Sequence, residues 1–276
     1  MNCDFDFWCN LIGRMKHLLI ILSIFLSFTI NSCSPYKDSS SSTTTSDNTT
    51  TDNTTTDEDT TTSSSDNSSS SVSVLFVGVG ASGNIVRSND NGASWDNATS
   101  PTGNDFRGVG FGNNTFVAVG NNGNIVRSTD NGSTWDNVTS PTTTNLSKVT
   151  FGNNTFLAVG NNGNIVRSTD NGSSWDNATS PTAIHLNGVT FGNNTFVGVD
   201  VSGNIVRSTD NGSSWDNATS PTDTHLYGVT FGNNTFVAVG LSGNIVRSTD
   251  NGSSWDNATS PTSNHLYGVT GVTFSE

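Results

Sequence analysis

From residue 72 to the C-terminus, short apolar runs alternate with polar turn signals, and the pattern returns every 40 residues. Phe-Gly-Asn-Asn-Thr-Phe begins at Phe111, Phe151, Phe191 and Phe231, and Asn-Ile-Val-Arg begins at Asn84, Asn124, Asn164, Asn204 and Asn244. Within one unit, Leu226–Phe231, Thr235–Val239, Asn244–Ser248 and Ser254–Thr259 are β-prone. Gly-Asn-Asn, Ser-Gly and Asp-Asn-Gly-Ser between them are hairpin and turn signals. Each unit is thus predicted to be an antiparallel meander with one strand per run. In Phe236, Val237 and Val239 apolar side chains fall on both faces of a strand, so one sheet alone would leave both faces in water. Stacking the sheets radially covers both, which predicts an all-β protein, a β-propeller of four-stranded antiparallel blades. Parallel β-helices also stack repeats, but their coils are shorter and lack this hairpin punctuation.

The two ends of the repeat region complement each other. The first unit opens at Val74–Val79, which corresponds to a second strand, and Leu266–Thr270 matches the first-strand run Leu226–Thr230. The last segment is therefore expected to pair beside the N-terminal strands and remove both open edges. This gives a five-bladed β-propeller over residues 72–276, closed by the C-terminal strand.

Every unit contains Ser-x-Asp-x-Gly-x-x-Trp, with its acid and indole at Asp90/Trp95, Asp130/Trp135, Asp170/Trp175, Asp210/Trp215 and Asp250/Trp255. The motif resembles the Asp-box, or BNR, repeat of sialidases, sortilin-type receptors, some glucan hydrolases and photosystem II assembly factors. That resemblance implies a propeller. Physically, Asp can accept bonds from turn amides, Gly supplies positive φ, and Trp covers the hairpin. A structural role is expected for these residues. Calcium binding of the EF-hand kind needs further acidic positions and a terminal Glu, which the motif does not have.

Arg87, Arg127, Arg167, Arg207 and Arg247 repeat at one strand position. Sialidases clamp a carboxylate with several arginines, but one arginine per blade fits better a ladder tied to neighbouring carboxylates or carbonyls. Glycoside hydrolysis usually needs paired carboxylates. After the linker the only Glu is Glu276, so Tyr227 and Tyr267 have no internal Glu to activate them as sialidase nucleophiles, and most Asp residues belong to the repeats. No distinguished nucleophile and base emerge, and the chain is read as non-catalytic with no cofactor.

Because the units are nearly identical, the positions where they differ carry information. They cluster at the start of the first strand (Asp105 and Arg107; Asn145, Ser147 and Lys148; His185 and Asn187; His225 and Tyr227; His265 and Tyr267) and in the turn between the second and third strands. In an up-and-down blade both places lie on one end of the sheet, opposite the Asp boxes. With the first strand innermost, these side chains are expected to ring the mouth of a central channel and hold a protein or glycan ligand. The competing reading is that loops with nothing packed on them drift freely. The three histidines come from successive blades, too far apart around a ring to converge on a metal.

Charge narrows the partners. Against 23 acids stand 10 bases, a net charge of -13, which disfavours nucleic acid and anionic lipid surfaces. Residues 18–30 form an apolar run behind Arg14, Lys16 and His17, a secretory signal pattern shorter than a membrane span. Its ending Ile30-Asn31-Ser32-Cys33 resembles a bacterial lipobox, with Asn31 atypical. That resemblance implies lipidation at Cys33 and contact with a membrane through the lipid anchor alone. Met15 would open a conventional short leader, and residues 1–14 are then expected to be a start-site extension. Cys3, Cys9 and Cys33 are the only cysteines, so no disulfide or thiol chemistry is expected downstream. From Ser39 to Ser71 every residue is Ser, Thr, Asp, Asn or Glu, so residues 34–71 are expected to be a disordered linker. The expected protein is an exported, lipid-anchored binding or scaffold module at the bacterial outer membrane or cell surface. The alternatives are a lectin-like glycan binder or a degenerate sialidase-like glycosidase.

Overall fold

The structure, a computed structural model, describes residues 75–271. The export segment 1–33 with Cys33, the linker 34–71 and residues 272–276 lie outside the described residues.

The strands form where the alternation places them, in five sheets. The first contains β1 (Phe76–Val79), β2 (Ile85–Ser88) and β3 (Asp96–Ala98). The second contains β4 (Phe106–Gly112), β5 (Thr115–Gly120), β6 (Ile125–Ser128) and β7 (Asp136–Val138). The third repeats that order as β8 (Leu146–Gly152), β9 (Thr155–Gly160), β10 (Ile165–Ser168) and β11 (Asp176–Ala178). The fourth holds β12 (Leu186–Gly192), β13 (Thr195–Asp200), β14 (Ile205–Ser208) and β15 (Asp216–Ala218), and the fifth β16 (Leu226–Gly232), β17 (Thr235–Gly240), β18 (Ile245–Ser248) and β19 (Asp256–Asn257). Each sheet is an antiparallel meander in sequence order, the blade of a β-propeller. Gly-Asn-Asn-Thr turns the first strand into the second, with Asn113 and Asn114 at φ 45° and 57°, values that Asn tolerates.

The core lies between sheets. Along β5 the side chains alternate: Phe116 and Ala118 pack with Ile85 of the first sheet, while Val117 and Val119 pack with Leu146, Phe156 and Trp175 of the third. The same arrangement recurs between the third and fourth sheets and between the fourth and fifth. This explains why the second strands read as unbroken apolar runs: they are buried on both faces. The outermost strands are shorter than the sequence suggests, β19 being only Asp256–Asn257, because their side chains face solvent and nothing beyond them completes the ladder.

The Ser-x-Asp-x-Gly-x-x-Trp segment closes the hairpin between third and fourth strands. Ser168 Oγ donates to Asp170 Oδ1 at 2.8 Å and accepts the Gly172 amide at 2.8 Å. Asp170 also accepts the Ser174 amide and hydroxyl at 2.9 and 2.6 Å, and Trp175 Nε1 donates to Gly172 O at 3.2 Å. Three of the five ladder arginines bridge blades through carbonyls, whereas Arg207 Nε is buried without a hydrogen-bond partner. Arg127 Nε donates to Asn171 O at 2.9 Å, Arg167 reaches Asn211 O, and Arg87 reaches Asn131 O and Ser133 Oγ. Asn171 answers from the other side, donating to Thr115 Oγ1 at 2.6 Å.

At the join between the ends, expectation and structure differ in part. Residues 266–271 lie along β16 as each inner strand lies along the one before it: a Cβ on Gly228 would stand 3.3 Å from Gly268 Cα, as one on Gly108 would stand 3.1 Å from Lys148 Cα. Leu266 N donates to Gly240 O at 2.9 Å, matching Phe106 N to Gly80 O at 3.0 Å. The segment thus takes the inner-strand place next to the fifth sheet. It forms no strand with β1, however, and the first sheet has three strands among the described residues. Trp95 is 47% exposed, while Trp135, Trp175, Trp215 and Trp255 are 4–6% exposed. Gly271 stands where the other inner strands carry Phe, so the aromatic ring that packs on Gly112, Gly152 and Gly192 is missing at Gly232.

Candidate functional site

The inner strands β4, β8, β12 and β16 share one irregularity. Phe106 pairs with Gly120 and Gly108 with Val119, so Arg107 is left without a partner in the ladder. Ser147, Asn187 and Tyr227 occupy the same bulge in the following blades. A bulge takes a residue out of the ladder and re-aims its side chain. These four residues and Tyr267, at the matching place in the C-terminal segment, all line a single cavity of about 320 Å³ at the centre of the ring. Lys148 lines it too, together with the backbone of Gly188–Val189, Gly228–Val229 and Gly268–Val269.

One wall is aromatic. The rings of Tyr227 and Tyr267 stand 5.2 Å apart, with His225 edge-on to Tyr227 at 6.0 Å and His265 edge-on to Tyr267 at 6.2 Å. Two other lining residues, Arg107 and Lys148, are cationic. From residue 75 onward the only bases are the five ladder arginines and these two. Arg107 Nε donates to Asn121 Oδ1 at 2.6 Å, and Asn121 Nδ2 donates in turn to Asp105 Oδ2 at 3.2 Å. His185 Nε2 stands 2.9 Å from Ser147 Oγ. Burial, then the positive charge of Arg107, pushes the His185 pKa below its usual value, so the ring is neutral near pH 7.

Of the remaining residues expected at the rim, several have a structural task. Asp105 Oδ1 accepts the Ser82 amide at 2.8 Å, Asn145 Oδ1 accepts the Asn122 amide at 2.9 Å, and His265 Nδ1 accepts the Ser242 amide at 3.1 Å. Each of the three fastens the turn of the preceding blade. Those turns bend sharply: Gly123 has φ 69°, and a Cβ there would collide with Thr142 O. Asn187 lines the channel while its Nδ2 donates to Leu226 O at 2.9 Å. The Gly-Val backbone of the lining escaped sequence reasoning because it is the same in the later repeats, and only the bulge register would have placed it. Among the described residues no group of three or more His, Cys, Asp or Glu is placed to hold a metal ion.

A second groove, of about 480 Å³, lies between the second and third sheets and includes Arg127, Asp136, Ser173 and Trp175. Its arginine is already bonded to Asn171 O.

Successive antiparallel meander sheets, four of them four-stranded, packed face to face with their first strands lining a channel, define a β-propeller repeat protein. Residues 104–226 match the family model described as "DUF6242 beta propeller domain". No curated protein sequence matches the chain. Among solved structures it is similar to YCF48 bound to D1 peptide, with 20% identity and a TM-score of 0.54 over 67% of this chain and 63% of that one. It is also similar to a chain of the nidogen/laminin complex, with 11% identity and a TM-score of 0.57 over 72% of this chain and 82% of that one. An ancestral GH74 enzyme shares 18% identity and a TM-score of 0.56 over 67% of this chain and 29% of its own. At these identities the likeness is one of fold.

Proposed function

We propose that this protein is a non-catalytic binding module that holds a segment of a partner protein at the mouth of its channel. The observation that carries this reading is where the repeats stop being alike. Arg107, Ser147, Asn187, Tyr227 and Tyr267 occupy one equivalent position, differ in all but the last pair, and line one cavity. Loops that drifted freely would not concentrate their differences on a bulged strand position that faces inward. Two propellers of similar fold are recorded with peptide or protein partners, YCF48 with D1 peptide and nidogen with laminin, which agrees with a protein ligand. Catalysis is left aside because no pair of carboxylates or activated nucleophile lines the cavity.

The leader pattern at residues 18–30 and Cys33 support an exported, lipid-anchored form of the module. Intact-mass measurement of the membrane fraction tests this part: a mature chain beginning at Cys33 with added acyl mass is expected, and any other start or an unlipidated chain rejects it. Affinity capture with the full chain tests the binding reading. Tyr227→Ala with Tyr267→Ala is expected to abolish capture of a partner that the unaltered chain retains, at unchanged thermal unfolding. Capture that survives both substitutions rejects the channel as the site.

A further inference from the structure

We propose that the channel recognises a single peptide carboxylate, seated between Arg107 and Lys148, with a neighbouring apolar or aromatic side chain against Tyr227 and Tyr267. This rests on the reading of the channel as the binding site and adds the chemistry of what enters it.

Charge is the first argument. From residue 75 onward, where acids outnumber bases, the only Lys and Arg outside the repeated ladder are Arg107 and Lys148, and both line one cavity. Neither forms an ion pair among the described residues. Arg107 is held by its Nε on Asn121, which leaves both terminal amino groups for a ligand, and Lys148 makes no hydrogen bond there. Asp105, two residues before Arg107 in the chain, is not among the lining residues, and its oxygens accept from the Ser82 amide and the Asn121 side chain. An oriented guanidinium beside a free ammonium is a carboxylate site. The surrounding negative surface repels an extended acidic tract, so one carboxylate on a short segment fits better than a polyanion.

The remaining lining selects peptide over sugar. Ser147 is engaged by His185, and Asn187 by Leu226 O. Few side-chain groups are left to bond the hydroxyls of an acidic sugar, and hydroxyls buried without partners are costly. The two tyrosine rings and the Gly-Val backbone instead offer an apolar surface, and about 320 Å³ suits a terminal residue and little more.

The chain has three tyrosines, so ring-labelled tyrosine in the full-length protein reports Tyr227 and Tyr267 with little overlap. The probes are N-acetyl-phenylalanine, its neutral amide and methyl glucuronide. The acid is expected to shift both tyrosine signals, and the amide to bind about tenfold more weakly or worse. Lys148→Gln and Arg107→Gln are each expected to weaken the acid by a similar factor, with Lys148→Gln the cleaner variant because it breaks no internal bond. Equal binding of acid and amide, no loss in either variant, or no binding of the acid overturns the proposal. Methyl glucuronide binding tighter than the peptide acid overturns the choice of a peptide. If the captured partner is lost with the tyrosines but kept in the Arg107→Gln, Lys148→Gln double variant, the channel remains the site and the carboxylate inference falls.

Discussion

At the scale of single residues, the repeated aspartates do the most local work. Asp130, Asp210, Asp90 and Asp250 are held at a pKa of about 2, first by the hydroxyl four residues on and then by that residue's amide. At Asp170 burial pulls upward as the largest single influence, yet the bonds from Ser174 and Ser168 together outweigh it, and its pKa is also about 2. Each carboxyl therefore binds a proton more readily in the unfolded chain, whose value is near 3.8, than in the folded one. Their contribution to stability is complete above about pH 4 and is lost as pH falls through about 2. Thermal midpoints measured between pH 5 and 2 should fall over that window, and a chain with Asp170→Asn should fall less steeply. At pH 7 Asp170→Ala should cost about 1 kcal/mol in denaturant unfolding, since water can take over part of these exposed bonds. These residues were legible in the sequence because one chemical solution is written five times. The roles of Asp105, Asn145 and His265 were not: a turn-fastening acceptor and a ligand contact use the same residue types, and only their bonds to the amides of the preceding blade tell them apart.

At the scale of the strand, the tightest constraint is how closely neighbouring inner strands approach. A Cβ on Gly152 would stand 2.0 Å from Cγ of Phe191, and Gly112 and Gly192 meet Phe151 and Phe231 in the same way. Gly152→Ala should therefore destabilise by about 1–3 kcal/mol, because the ring must move within a packed interface. With the partner cut back to its Cβ by Phe191→Ala, adding Gly152→Ala should cost less than it does in the unaltered chain, and an equal cost in both backgrounds would show that the ring is not the obstacle. Strand order and hairpin positions could be read from the alternation alone, since the turn residues leave few other pairings. The bulge could not. Arg107, Ser147, Asn187 and Tyr227 fit an ordinary alternating strand, and only the pairing register, which skips each of them, reveals their displacement. The candidate channel was thus legible as a set of differing positions, but not as a set of side chains aimed at one point.

At the scale of the whole molecule, stability depends on interfaces that each need two sheets, so the end of the chain matters more than its size suggests. Trp175→Ala removes an indole buried between sheets and should cost about 3–5 kcal/mol. Trp95→Ala should cost clearly less, because Trp95 is 47% exposed. Equal costs in denaturant unfolding would mean that the first sheet is covered as fully as the others. Among the described residues, 266–271 take the fifth inner place at the channel and cover β16 on that side. Deleting residues 264–276 should therefore lower the thermal midpoint by several degrees. It should also remove Tyr267 from the channel, so that ligand binding is lost even at temperatures where the shortened chain stays folded. A truncated chain that unfolds at the same temperature would mean that the four complete blades and the three-stranded sheet hold together without the terminal segment. The channel would then be bounded on that side by something other than Gly268 and Val269.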